Sequence, residues 1–542
     1  PLALIESIEM TASQSNHGGT VPIGGEIRIK TVQNDGNTTS ANLAFGSFGF
    51  TEANLKQSLD LKQHQLVASV NWLASDNDYS YLVPQTFFNS QLSAQQALAN
   101  NEFSKLSLLL NDRWEHDTSV TNLGVQYNDQ TKHIPNYQNN SPVNQQYLDD
   151  SNLRLNLQHQ WQVNAPLVSK VSLQTHWFKQ DETFYHRPNE LQDDRYQYQT
   201  ENGSIHLQLP IRFQHVYWQP FVKLQYEEFD SYSLINQQTP SCNGISSCDV
   251  IAKQEQTNIG HSLRWQPKKA PWQLSWSWNH QTINNSNQTK HPEISNTTNT
   301  ESKHVTQSAN FDYQLSNHRL SLLLSRGIRV PTMYELFGDR GLFKGNDNLQ
   351  AESASTLSLS GQLNFEEWRI FQSIFYQKMD DAIVAIYNAR GVGSYDNVAE
   401  LDITGSSTQL TYSMSQWTVG INLDLLDTNS QSSIRAFDNK KQPGVYHQDM
   451  SLFAQWQIDD KWSVRIEHHQ SDDLYFDRAN KISSDNGLTS NREVTDLSIK
   501  YHGKRYSSAI YFQNIFDQAY QDLSNRPAVG QQIRFSMTIK EF

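Results

Sequence analysis

The chain has 542 residues, a formal net charge of −14 and a mean hydropathy of −0.67, with 13 Trp, 23 Tyr and 24 Phe set among abundant Asn, Gln and Ser. No stretch approaches the roughly 18 apolar residues of a spanning helix, which excludes a helical membrane protein, and acidity with scattered Lys and Arg excludes a nucleic-acid partner. Two classes remain: a string of soluble β domains, or a transmembrane β-barrel in which only every second strand residue meets lipid and aromatic residues gather at the interfaces.

From the N-terminus onward, short polar turns fall at 62–65, 115–118, 163–166, 213–216, 267–271, 316–319, 365–368, 413–416, 459–462 and 502–505. They recur about every 50 residues, the length of two strands plus a longer connection. The segments between them alternate with period two. In “WQLSWSWN”, Trp272, Leu274, Trp276 and Trp278 share one face and Gln273, Ser275, Ser277 and Asn279 the other; “WTVGINLDLL” from Trp417 and “IRFSMTIK” from Ile533 repeat the pattern. The long connections are polar, such as “NNSNQTKHPEISNTTNTES”. Short turns on one side and long loops on the other are the outer-membrane pattern, with the turns periplasmic and the loops extracellular. About ten turns, with both chain ends on the turn side, predict an all-β antiparallel barrel of about 22 strands, a size of plugged transporters rather than porins.

Chemistry is sparse. There is no Gly-x-Ser-x-Gly, no His-Glu-x-x-His and no phosphate-cradling Gly-Lys-Ser/Thr loop, so no enzyme is expected, nor any cofactor. His468 and His469 are adjacent and point to opposite faces of a strand, so they cannot chelate together. “SDNDYSY”, residues 75–81, could meet a divalent cation but reads as a solvated turn, and no metal site is expected. Cys242 and Cys248, in “TPSCNGISSC”, read as a disulfide in an exposed loop of an oxidising compartment. A two-thiol metal site lacks a neighbouring histidine pair.

Four motifs, in order, resemble the TonB-dependent outer-membrane receptors along nearly the whole chain. “SIEMTASQSNHGGTVPIGGEIRIKT” is similar to the end of that family's plug domain. “RGIRVPTMYELFG” followed by “GNDNLQAESASTLSLSG” resembles its barrel signature, “YDNVAELDITGSS” its Tyr-x-Asn strand start (with Ser406 or Ser407 where an acid is usual), and “YFQNIFDQAY” its penultimate-strand motif. The resemblance implies residues 1–34 as a C-terminal remnant of the plug and 35–542 as the barrel, in the bacterial outer membrane and in contact with its lipid. The plug segment that meets the TonB protein of the inner-membrane energy complex is not matched; a separate chain, a cleaved fragment or a longer parent chain would supply it. Phe542 resembles the family's terminal aromatic but is out of phase with Ile533, Phe535, Met537 and Ile539.

By resemblance the function is energised uptake of a scarce large solute, with a ferric siderophore the first expectation. Cobalamin, haem, another metal chelate or an oligosaccharide are the family's other cargoes, and a passive pore or surface-binding barrel without energy coupling is the competing reading. Aromatic walls with a few cations suit anionic ferric chelates. The candidate ligand-binding residues are Tyr334, Arg340 and Phe343 in the signature loop, Tyr387, Arg390 and Tyr395 in “AIYNARGVGSYDN”, and Tyr81 and Phe87, beside Phe88, in “YSYLVPQTFF”. Each also fits a belt aromatic or a solvated loop charge. Asn16, His17 and Thr20 mark the tip of the plug-like turn. Pro331 is expected to end its strand ladder, and Gly338, Gly341 and Gly345 to let the loop turn over the mouth.

Overall fold

The computed structural model describes residues 5–11, 20–32, 36–83, 94–163, 165–238, 249–290, 297–338, 343–387, 393–481, 484–485, 488–489, 491–524 and 526–541. Strands adjacent in sequence pair antiparallel, from Thr38–Gly46 to Gln532–Glu541, and these two pair with each other through Ala41↔Ile539 and Phe45↔Phe535 to close a barrel of 22 strands. Closure leaves no edge, which a sheet in hydrocarbon requires because no water is there to satisfy free backbone groups. Ile211–Phe213 continues the strand Asp194–Gln208 beyond Leu209 and Pro210, both lying against Val216–Leu234. All ten short turns fall between paired strands where the sequence placed them; Lys62 and Gln63, for example, join Thr51–Leu61 to His64–Ser75.

The alternation resolves as apolar outside and polar inside. Leu320, Leu322 and Leu324 are exposed on the outer face of His318–Arg329, while Ser325 and Leu323 are buried on the inner face. Ile533, Phe535, Met537 and Ile539 all face outward. The short-turn end carries an outer aromatic girdle: Trp417 stacks on Trp456 with centroids 5.4 Å apart, Trp265 meets Trp272 edge-on at 5.0 Å, and Trp368–Tyr412 and Trp462–Tyr501 repeat the arrangement. Rings with an apolar body and a polar tip settle at that level of a bilayer. Above the apolar band, toward the long loops, the outer face turns charged, with Lys378 2.9 Å from Glu400 and Lys253 3.2 Å from Glu228. His468 and His469 do face opposite ways, their register partners being Leu452 outside and Ser451 inside.

Inside the barrel lies the N-terminal segment, in which Ile5–Thr11 and Glu26–Thr31 form a two-stranded ribbon. Asn16, His17, Phe87, Phe88, Cys242, Cys248, Arg340, Gly341, Arg390 and Phe542 lie outside the described residues, so the disulfide expectation is among those the fold does not address.

The two faces should respond oppositely to substitution. Leu322→Arg, on the lipid side, is expected to cost about 2–4 kcal/mol if it sits near the bilayer midplane. Ser325→Ala should cost nothing measurable, because that inner hydroxyl is buried without a hydrogen-bond partner. Urea unfolding in liposomes, followed by Trp fluorescence, reads both; equal effects would contradict the assigned faces.

Candidate functional site

The signature loop begins where Arg329 ends its strand. Thr332 caps the short helix Met333–Phe337: its hydroxyl accepts the Glu335 N–H at 3.2 Å, and the Glu335 carboxylate accepts the Thr332 N–H at 2.8 Å. A five-residue helix has too few internal bonds to stand alone, so its stability comes from its cap and its packing. Arg329 supplies a further tie, its Nη1 lying 2.9 Å from Glu335 Oε2 while its Nε donates to Glu352. Glu352 is 4% exposed, and its other oxygen accepts the Ile383 N–H at 2.5 Å. One guanidinium thus joins the helix, the descending strand and the neighbouring strand Trp368–Tyr387, with the planar fork that suits two carboxylates.

The helix turns inward. Met333 and Leu336 are buried among Phe184, Tyr196, Tyr198 and Phe229, inner-face residues of the strands opposite, with Val250 and Ala252 beneath. Tyr334 meets Tyr198 edge-on at 5.8 Å, and Tyr198 stacks on Phe229 at 5.7 Å. Burying Met333 and Leu336 contributes about 1.5–3 kcal/mol each. The glycines act through close approach rather than a left-handed backbone: a Cβ on Gly338 would lie 2.6 Å from the Tyr334 ring, and one on Gly345 would lie 2.5 Å from the Leu336 carbonyl oxygen. Pro331 does follow the last ladder residue.

The second candidate loop is clasped to the first. Phe343 and Lys344 pair in parallel with Gly393 and Ser394. Asn346 donates to the Tyr395 carbonyl at 2.9 Å. Asn397 accepts the Gln350 N–H at 2.8 Å and donates to the carbonyls of Gln350 and, at 2.7 Å, Asp381. The motif residues Gly345-Asn346 and Tyr395-x-Asn397 therefore hold each other, and the segments bearing Tyr334, Phe343, Tyr387 and Tyr395 meet at one corner of the mouth. Tyr81 is elsewhere, in a hairpin of Ser80–Val83 with Ala94–Ala97. It packs with Tyr79, Val83 and Leu98 and donates to the Tyr137 carbonyl at 3.0 Å. Burial raises the pKa of the Tyr79 and Tyr81 hydroxyls, so both stay neutral.

Below the mouth, the N-terminal segment is tied to the inner wall by neutral polar groups. Thr20 donates to Gln281 at 3.0 Å or Asn258 at 3.2 Å, Val21 N–H donates to the Thr306 hydroxyl at 3.1 Å, and Gln377 donates to the Ile23 carbonyl at 2.6 Å. Farther along, Asn111, on the strand Phe103–Glu115, donates to Thr31 at 3.0 Å. Gly327 of the signature stretch faces this segment: its Cβ would come within 2.5 Å of the Val21 carbonyl oxygen, and Ile328 N–H donates to that same oxygen at 3.2 Å. Sequence reasoning missed this seat and the wall of Tyr196, Tyr198 and Phe229. The available signal was parity, since Tyr196 and Tyr198 fall on the otherwise polar inner face of Asp194–Gln208.

A closed barrel that is apolar outside and amide-lined inside, with a lid folded into its mouth and a chain segment hydrogen-bonded within its lumen, is an outer-membrane receptor of the obstructed-channel class. The chain belongs to the TonB-dependent receptor family: the family model described as TonB dependent receptor-like, beta-barrel, matches residues 94–515. No curated protein matches it in sequence. Among solved structures it is similar to the copper transporter OprC, with a TM-score of 0.80 at 13% identity over 98% of this chain and 85% of that one. The siderophore receptor PiuA from Acinetobacter baumannii gives a TM-score of 0.75 at 13% identity over 100% and 87%. The ferric citrate transporter FecA, in its unliganded form, gives 0.78 at 12% identity over 100% and 84%. At such identities the likeness is one of fold. The protein is a receptor and transporter barrel of the bacterial outer membrane, not an enzyme.

Two substitutions test the seat and the lid. Arg329→Ala leaves Glu352 buried without its cation and should cost about 3 kcal/mol, releasing the lid; hydrogen exchange across 330–351 should rise while the barrel strands stay protected. Gly327→Val should push Val21 off its seat, seen as faster exchange at Val21 and Ile328. Unchanged protection in either variant would show that these contacts do not hold the segments.

Proposed function

We propose that this receptor captures a ferric siderophore at its long-loop mouth and passes it through the lumen with energy delivered by TonB. The observation that carries the reading is the mouth itself, where the half-buried Tyr334 stands on the packed aromatic support of Tyr198 and Phe229, at the corner where the two candidate loops are clasped. Aromatic faces bind the organic rim of such a chelate, and Arg340 and Arg390, carried on those loops, are the cations we assign to its anionic centre. Tyr387, Tyr395 and Phe343 complete the proposed contact set at that corner, and Tyr81 and Phe87 are its further candidates. PiuA and FecA, described as a siderophore receptor and a ferric citrate transporter, lend support through shared architecture.

Residues 1–34 are read as the end of a plug domain and 35–542 as the barrel. On the ribbon, Ile8, Met10, Ile27 and Ile29 share one exposed apolar face, with Glu9, Arg28 and Lys30 on the other. A two-stranded ribbon is marginal by itself, and that face suits packing against further plug strands, on this protein's own chain or a companion fragment, which would also carry the TonB contact.

Titrating the purified receptor with ferric siderophores, ferric citrate, haem and cobalamin should quench Trp fluorescence with one ferric siderophore at sub-micromolar concentration. The Arg340→Ala, Arg390→Ala double variant should weaken that binding about tenfold, or ~1.4 kcal/mol. A panel that leaves the fluorescence unchanged, or responds to haem or cobalamin alone, removes the siderophore assignment.

A further inference from the structure

The strand that rises into the lid has a barrel neighbour on only one side at its end. His318–Arg329 pairs with Glu352–Asn364 up to Arg329↔Glu352, but with Thr297–Leu315 only as far as Arg326↔Gln307. Thr297–Leu315 itself continues back to Thr297, paired there, among the described residues, with Trp272–Thr289 alone. The barrel wall therefore parts at the root of the lid.

Residues 20–23 take over at that point. In the same register the next ladder partner of Ile328 is Val305, yet the Ile328 N–H donates to the Val21 carbonyl at 3.2 Å. Val21 is 1% exposed, and its own N–H donates to the hydroxyl of Thr306, beside Val305, at 3.1 Å. On the other side, Gln377 holds the Ile23 carbonyl and the Thr356 hydroxyl, at 2.6 and 2.9 Å. Thr356 lies on Glu352–Asn364, the strand that descends from the lid, and is the register partner of Gln377. The segment thus meets both posts of the lid, the rising one through Ile328 and the descending one through Gln377. Its anchor at Thr20, on Asn258 and Gln281, belongs to neither post.

We propose that residues 20–23 brace the lid, so that seating of the segment and closure of the lid share a coupling free energy. Seated, Val21 supplies the ladder bond that Thr297–Leu315 does not, and a buried N–H needs such an acceptor. Withdrawn, the segment leaves the rising post with one neighbour in place of two, and the lid loosens on the Arg329 fork that still attaches it. The inference rests on the reading of residues 1–34 as a plug end for what withdraws the segment. It gives that movement a second effect: the hold of Tyr334 on cargo weakens in the step that clears the lumen beneath. Coupling of this kind is reciprocal, so a closed lid also holds the segment.

The test uses the double variant Thr20→Val, Thr306→Val, which removes hydrogen bonds of the seat and changes no residue of the lid or of its two posts. In the purified receptor, hydrogen exchange at 20–23 should rise about tenfold, and exchange across 330–351 about threefold with it. Residues 318–326 should stay as in wild type, as should the hairpin strand Ser80–Val83, which packs with Phe48, Tyr137 and Val529 instead. By reciprocity, Arg329→Ala should speed exchange at 20–23 as well as in the lid. Faster exchange at 20–23 with an unchanged lid overturns the brace, and so does an Arg329→Ala lid that loosens while 20–23 stay protected. No rise at 20–23 in the double variant shows that these bonds do not seat the segment, and the brace falls with them. Neither cargo nor TonB enters the measurement, so the siderophore reading stands or falls separately, by its own titration.

Discussion

The pairing of Thr38–Gly46 with Gln532–Glu541 is the constraint on which the molecule depends. Hydrocarbon cannot satisfy a free N–H or C=O, so the sheet must close, and closure fixes which parity of every strand faces lipid. A slip of one residue in His318–Arg329 would turn Leu322 and Leu324 inward and Ser325 outward. Once register is fixed, the inner face is free to be polar, and the chain spends it on Asn, Gln, Ser and Thr rather than on a hydrophobic core. The aromatic cluster at the mouth and the one around Tyr79 and Tyr81 are local exceptions that fasten loops.

Much of this was legible in the residues because it is periodic. Ten turns, the apolar faces of the strands at Trp272, Trp417 and Ile533, and the opposed His468 and His469 follow from period two and polar punctuation alone. The motifs of the signature loop were legible as a resemblance, but not what they do. Asn346 and Asn397 look like solvated loop residues in sequence, yet one holds the Tyr395 backbone and the other spans Gln350 and Asp381. Thr20 could be named, but its partners Asn258 and Gln281 lie more than two hundred positions away, and no local pattern encodes that meeting. Arg329 presents the opposite case, with partners close in sequence. A cation between two apolar runs gives no sign that its carboxylate partners are Glu335 and Glu352.

The two elements that obstruct the lumen are held by different kinds of bond. The lid uses a charge-assisted fork on a carboxylate that is almost wholly buried, together with apolar burial of Met333 and Leu336. The N-terminal segment uses neutral hydrogen bonds to amides and hydroxyls, each contributing about 0.5–1.5 kcal/mol net because water replaces them readily. An amide wall can therefore release the segment in small steps, re-forming each bond with water as it goes, whereas the fork must break as a unit and expose an unpaired carboxylate. On the proposed reading of residues 1–34 as the end of a plug that TonB pulls, the first arrangement suits the part that moves and the second the part that stays. Gly327 joins the two, since it belongs to the strand that leads into the lid and offers the Val21 carbonyl its close approach. The contact with Val21 thus lies at the base of the lid, two residues from Arg329, on a strand whose register the barrel fixes.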